Sequence, residues 1–106
     1  MFQKIKEIAE YYGYDAQSRQ LTEEMAELTQ AINKFWRKQL KYGNEELANV
    51  PFGTNEELNM AEEIADVEIC LEQIKHLLKC RREVNEFKKY KVERELQRIG
   101  AVMNED

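Results

Sequence analysis

Residues 21–28 read LTEEMAEL and set Glu23, Glu24 and Glu27 beside apolar neighbours; residues 61–69 read AEEIADVEI and do the same with Glu63 and Asp66. Carboxylates three residues apart share one side of a helix, with their Cβ atoms about 5–6 Å apart. Such a pair is a platform for Mg²⁺, which takes a few carboxylates together with waters and phosphate oxygens. The same spacing recurs at Glu7/Glu10 and Glu83/Glu86 in a chain with 21 acidic residues. Spacing alone therefore describes solvated helix surface equally well.

Position relative to the apolar face separates these pairs better. A helix turns by about 100° per residue, which puts Phe35 about 20° from Glu24, Leu28 about 40° and Ala31 about −20°. Glu24 thus borders the core stripe, Glu27 lies further round and Glu23 further still. On the later helix Glu63 falls between Ile74 and Cys70 inside an apolar arc, and Asp66 falls at its margin. Two inward-facing acid pairs repel one another and are costly to desolvate. A divalent cation removes that cost; leaving the pairs at an exposed surface also avoids it.

The elements that would carry these residues are helices. Four glycines and one proline in 106 residues leave few turns, and no strand alternation or internal repeat is present. The pattern predicts one domain over residues 1–106 with four helices. The first covers residues 2–12, with Ile5, Ile8, Ala9 and Tyr12 on one face and Gly13 as its stop. The second covers residues 16–41, with Asp15 as N-cap and an apolar stripe of Leu21, Met25, Leu28, Ile32, Phe35 and Trp36. The third covers residues 55–79 after a Thr54/Glu57 capping box, with Leu58, Ile64, Val67, Leu71, Ile74 and Leu78. The fourth covers residues 82–99, with Val84, Phe87, Lys88, Lys91 and Leu96, and ends in a frayed GAVMNED tail. The link at residues 42–53, with Tyr42, Pro51 and Phe52, is long for a helix connection and suits a lid, a subunit contact or a surface loop. The expected fold class is all-α, an antiparallel four-helix bundle. Leu58, Ala61, Ala65 and Ile69 lie on a different side of the third helix from Val67, Leu71 and Ile74. A helix apolar on two sides predicts completion by homo-oligomerisation.

Bulk properties narrow the function. The formal charge of −5 and pI near 5.1 speak against a nucleic-acid polymer as partner, while an anionic small substrate would need a metal to offset repulsion. No apolar run approaches the roughly 20 residues of a membrane span. The N-terminal MFQKIKEIAE is charged and amphipathic, unlike a secretory signal. Cys70 and Cys80, about 15 Å apart along one helix, cannot pair with each other. Free thiols predict a reducing, cytoplasmic location. His76 stands alone with no Glu-x-x-His, so a ferritin-like di-iron site is unsupported. Neither a Ser–His–Asp arrangement nor a P-loop is present.

EEMAEL followed by EEIADVEICLEQI resembles the all-α nucleoside triphosphate pyrophosphohydrolase superfamily, the MazG-like group that includes dimeric dUTPases, dCTP pyrophosphatases and phosphoribosyl-ATP pyrophosphatase. Its signature is EExxE on one helix and ExxD on the next, here Glu23-Glu24-x-x-Glu27 and Glu63-x-x-Asp66. The stretch GYDAQSRQLTEEMAELTQAINKFWR resembles the family's entry helix and FKKYKVERELQRI its basic fourth helix, so the likeness covers residues 11–98. It implies hydrolysis of the α–β phosphoanhydride of an NTP or dNTP to a monophosphate and pyrophosphate. Glu24, Glu27, Glu63 and Asp66 would hold Mg²⁺, with Mn²⁺ as a substitute. Glu23 would orient or deprotonate the attacking water, a role that competes with plain solvent exposure. Lys88, Lys91 and Arg94, and Lys34, Arg37 and Lys38, are candidates for holding phosphates; exposed lysines also simply face water. Gln17 and Trp36 are base and sugar candidates by family position, although Trp36 equally extends the apolar stripe. The resemblance implies a homodimer or homotetramer. A non-catalytic helical oligomerisation or regulatory module is the alternative reading.

Overall fold

Gly13 shapes the N-terminal half. Its φ of 84° and ψ of 172° lie outside the helical region, in a conformation that only glycine adopts freely. A Cβ at Gly13 would meet nothing within 4 Å, so its backbone alone calls for glycine. In this computed structural model, which describes residues 1–42 and 55–103 and the side chains of residues 1–38 and 57–101, the helix breaks at Gly13 as expected and a second helical arm resumes directly after it, so the two expected helices follow one another as a single kinked element. We call it α1, Phe2–Tyr42; α2 is Asn55–Leu78 and α3 is Arg81–Met103. The molecule is all-helical, with three helices and no strand among the described residues. No helix of the described residues is long and apolar enough to cross a membrane. The capping box at Thr54 and most of the link at residues 42–53 fall outside the described residues.

α1 and α2 lie antiparallel along most of their length. As α1 advances through Glu10 and Gln17, its partners on α2 step backwards from His76 to Gln73. The α2–α3 turn is a Schellman motif. Lys79 sits in the left-handed region at φ 55°, its N–H reaches the His76 carbonyl at 3.2 Å, and the Cys80 N–H reaches the Lys75 carbonyl at 3.1 Å. The Cys80 carbonyl then accepts the first bond of α3, from the Val84 N–H at 2.9 Å. α3 runs on to Met103, past Gly100 and beyond the fraying point expected from the sequence. One glycine inside a helix costs only about 1 kcal/mol.

α3 barely touches α2 and its backbone does not approach α1. The radius of gyration is 17.9 Å, against about 13 Å for a compact domain of 100 residues. Among the described residues, the buried apolar ones are Ala9, Ala31, Val67 and Cys70, while Trp36, Phe87, Tyr90 and Leu96 are exposed. Leu58, Ala61, Ala65 and Ile69, the second apolar side of α2, are exposed as a set.

Candidate functional site

The site lies in the seam between α1 and α2. Gln17, Leu21, Glu24, Leu28, Ala31, Phe35 and Lys38 are all buried or half-buried, and they alternate in steps of four and three. On α2 the matching series is Met60, Glu63, Val67, Cys70, Ile74 and Leu77. This is the pattern by which two helices interlock side chains at a shallow angle. It is narrower than the stripes read from the sequence: Met25, Ile32, Ile64, Leu71 and Leu78 are exposed. Glu24 and Glu63 occupy seam positions that packing alone would fill with apolar groups. Asp66, beside Val67, is half-buried on the same side.

These three carboxylates converge. One oxygen from each of Glu24, Glu63 and Asp66 lies within 4.8 Å of the others. Glu24 Oε1 accepts a hydrogen bond from Gln20 Nε2 at 2.6 Å. Glu24 Oε2 and Glu63 Oε2 are shut off from solvent and accept no hydrogen bond among the described residues. Nor does an ion pair among the described residues reach any of the three. Burial pushes the Glu24 carboxyl above its ordinary value; the Gln20 bond works against this, and the charges of Glu27 and Asp66 add to it. The Cys70 thiol is pushed up too, first by burial and then by Glu24 and Asp66. It therefore stays a neutral part of the seam rather than a thiolate.

Glu72 shows how the chain treats a half-buried carboxylate elsewhere. It bonds Lys75 Nζ at 2.5 Å and Arg81 Nη1 at 2.7 Å, and these cations hold it below its ordinary value. Among the described residues, no ion pair of this kind reaches Glu24, Glu63 or Asp66. Buried carboxylate oxygens without donors are costly unless a cation fills the space between them. Three oxygen donors from two facing helices fit a hard divalent ion such as Mg²⁺ or Mn²⁺.

The remaining candidate residues divide by place. Glu23 and Glu27 are exposed, although Glu27 stands close enough to raise Glu24. Glu7, Glu10, Glu83 and Glu86, which share the three-residue spacing, are exposed as well. Gln17 is buried and donates to Gln73 Oε1 at 2.6 Å, bracing α1 against α2. Lys34, Trp36 and Arg37 are exposed on α1. Lys88, Lys91 and Arg94 are exposed on α3, and Arg94 lies 5.6 Å over the Tyr90 ring. Because α3 leaves the hairpin, one chain does not pack these three cations against the carboxylates.

Sequence reasoning passed over Gln20, Gln73 and Arg81. Gln20 stands one turn before Glu24, a spacing that could have marked it. Gln73 and Arg81 meet their partners only through the fold: Arg81 joins Glu72 and lies 4.5 Å from the Phe2 ring centroid. In comparisons with family models, curated proteins and solved structures, the chain matches none of them.

Proposed function

We propose that this protein is a Mg²⁺-dependent nucleoside triphosphate pyrophosphohydrolase of the MazG-like type, acting as a homo-oligomer in the cytoplasm. The observation that carries the reading is the convergence of Glu24, Glu63 and Asp66 at the α1–α2 seam, with buried carboxylate oxygens that no described side chain satisfies. Glu24, Glu63 and Asp66 would hold the ion, with Glu27 at the exposed edge beside Glu24. When bound, Mg²⁺ offsets phosphate charge and activates water. Glu23, exposed on the following face, is the residue available to orient that water or take its proton. Lys88, Lys91 and Arg94 would meet the phosphates. For that, α3 must complete an antiparallel four-helix bundle in the assembly, which would also cover its apolar residues and the second side of α2.

Pyrophosphate release measured with Mg²⁺ and a panel of canonical and modified nucleotides tests this reading. Glu24→Gln and Asp66→Asn should each lower the rate by more than the roughly 10–100-fold typical of losing an outer partner of a metal ligand. Activity that survives both substitutions removes the site assignment. The exposed apolar surface of α2 and α3 favours one other reading, a non-catalytic oligomerisation module. Failure to turn over any nucleotide, with the assembly intact, would select it.

A further inference from the structure

We infer that Gln20 is a positioning residue for the cation site, locking the Glu24 carboxylate so that its second oxygen faces an ion held with Glu63 and Asp66. The inference rests on the metal-site reading above and adds a residue to it.

Glu24 has two carboxylate oxygens with different surroundings. Oε1 is taken by the Gln20 amide at 2.6 Å. Oε2 is buried and without a hydrogen-bond donor among the described residues. A glutamate has three side-chain torsions, and left alone it would spread over several rotamers with its head in water. The Gln20 bond removes that freedom from one end of the carboxylate and leaves the other end to the seam. Gln20 is exposed one turn earlier on α1, so it contributes little to the packing of α1 on α2. Its one strong polar contact among the described residues is to a proposed ligand. Donors that hold metal ligands from outside are worth about 10–100-fold in metal affinity.

The test titrates the purified protein with Mn²⁺ alone, reading free Mn²⁺ by electron paramagnetic resonance, beside thermal melts without metal. Gln20→Met keeps the length of the side chain and deletes the donor. It should weaken Mn²⁺ binding by about tenfold and leave the metal-free melting midpoint within about 2 °C, the shift of a surface change of a few tenths of a kcal/mol. Gln20→Ala should behave alike. In a Glu24→Ala background, Gln20→Met should change the residual affinity less than about twofold, because the residue acts through Glu24. Equal losses in both backgrounds would overturn the assignment, as would unchanged affinity in Gln20→Met. If the unsubstituted protein binds no Mn²⁺, the metal-site reading falls and this inference falls with it.

Discussion

Glu24 and Glu72 are both half-buried carboxylates, and they answer to pH in opposite senses. Glu24 has its folded value raised above the ordinary 4.5. Its contribution to stability is therefore fully present below about pH 4.5 and is lost as pH rises through the raised folded value. Glu72 has its folded value lowered from 4.5 by Lys75 and Arg81. Its contribution is present above that pH and is lost as pH falls through the lowered value. In metal-free buffer, Glu24→Gln should gain stability relative to the unsubstituted protein as pH rises from 4.5 to 7. Glu72→Gln should be destabilised at neutral pH by about 1 kcal/mol or less, with the deficit closing on acidification. Chemical denaturation at several pH values reads both slopes, and parallel slopes would refute the contrast. Mg²⁺ should raise the melting midpoint of the unsubstituted protein, as any ligand of the folded state does, and should leave that of Glu24→Gln unmoved. At this scale the sequence was informative about place and poor about partners. The face angles of Glu24 and Glu63 pointed to the seam, and both are half-buried there. Nothing in the chain announces that Glu72 would be neutralised by Arg81 across a turn and Glu63 by no described residue, because those neighbours come from the fold.

The elements were largely readable. Helical content followed from the scarcity of glycine and proline and from the apolar period, and Gly13 was rightly singled out as a break. The helix does stop there, as expected, and resumes directly after it rather than at residue 16, since Gly13 alone, at φ 84°, leaves the helical region. The other break, at Lys79, carried no glycine to flag it. Lysine in the left-handed region pays roughly 1 kcal/mol against its Cβ. Lys79→Gly should therefore stabilise the fold by about 0.5 kcal/mol or less after the entropy of the unfolded glycine is counted. A melting midpoint that falls would show that the Lys79 side chain does more than tolerate its backbone.

For the whole molecule, the question is where the missing core lies. The described chain buries few apolar side chains and leaves Phe87 at 65% and Trp36 at 62% exposure. The two-sided apolar pattern of α2 had suggested a second copy; in the single chain Leu58, Ala61, Ala65 and Ile69 are exposed. The departure of α3 from the hairpin had no sign in the sequence: its apolar period looks the same whether it packs on its own chain or another. Sedimentation should give a mass that is an integral multiple of 12.7 kDa, two or more times the chain. Leu58→Lys combined with Ile69→Lys should shift the protein towards monomer and lower its melting midpoint. A monomer at micromolar concentration in the unsubstituted protein would remove the oligomer from the proposal.

The solitary run of α3 also bears on turnover. Arg82, Lys88, Lys89, Lys91, Arg94 and Arg98 stand along a helix with almost no tertiary protection, and proteases act on segments that open locally. If copies assemble as proposed, an unpartnered chain would carry these cleavage sites in full view and assembly would hide them. Surplus subunits would then be destroyed faster than assembled ones.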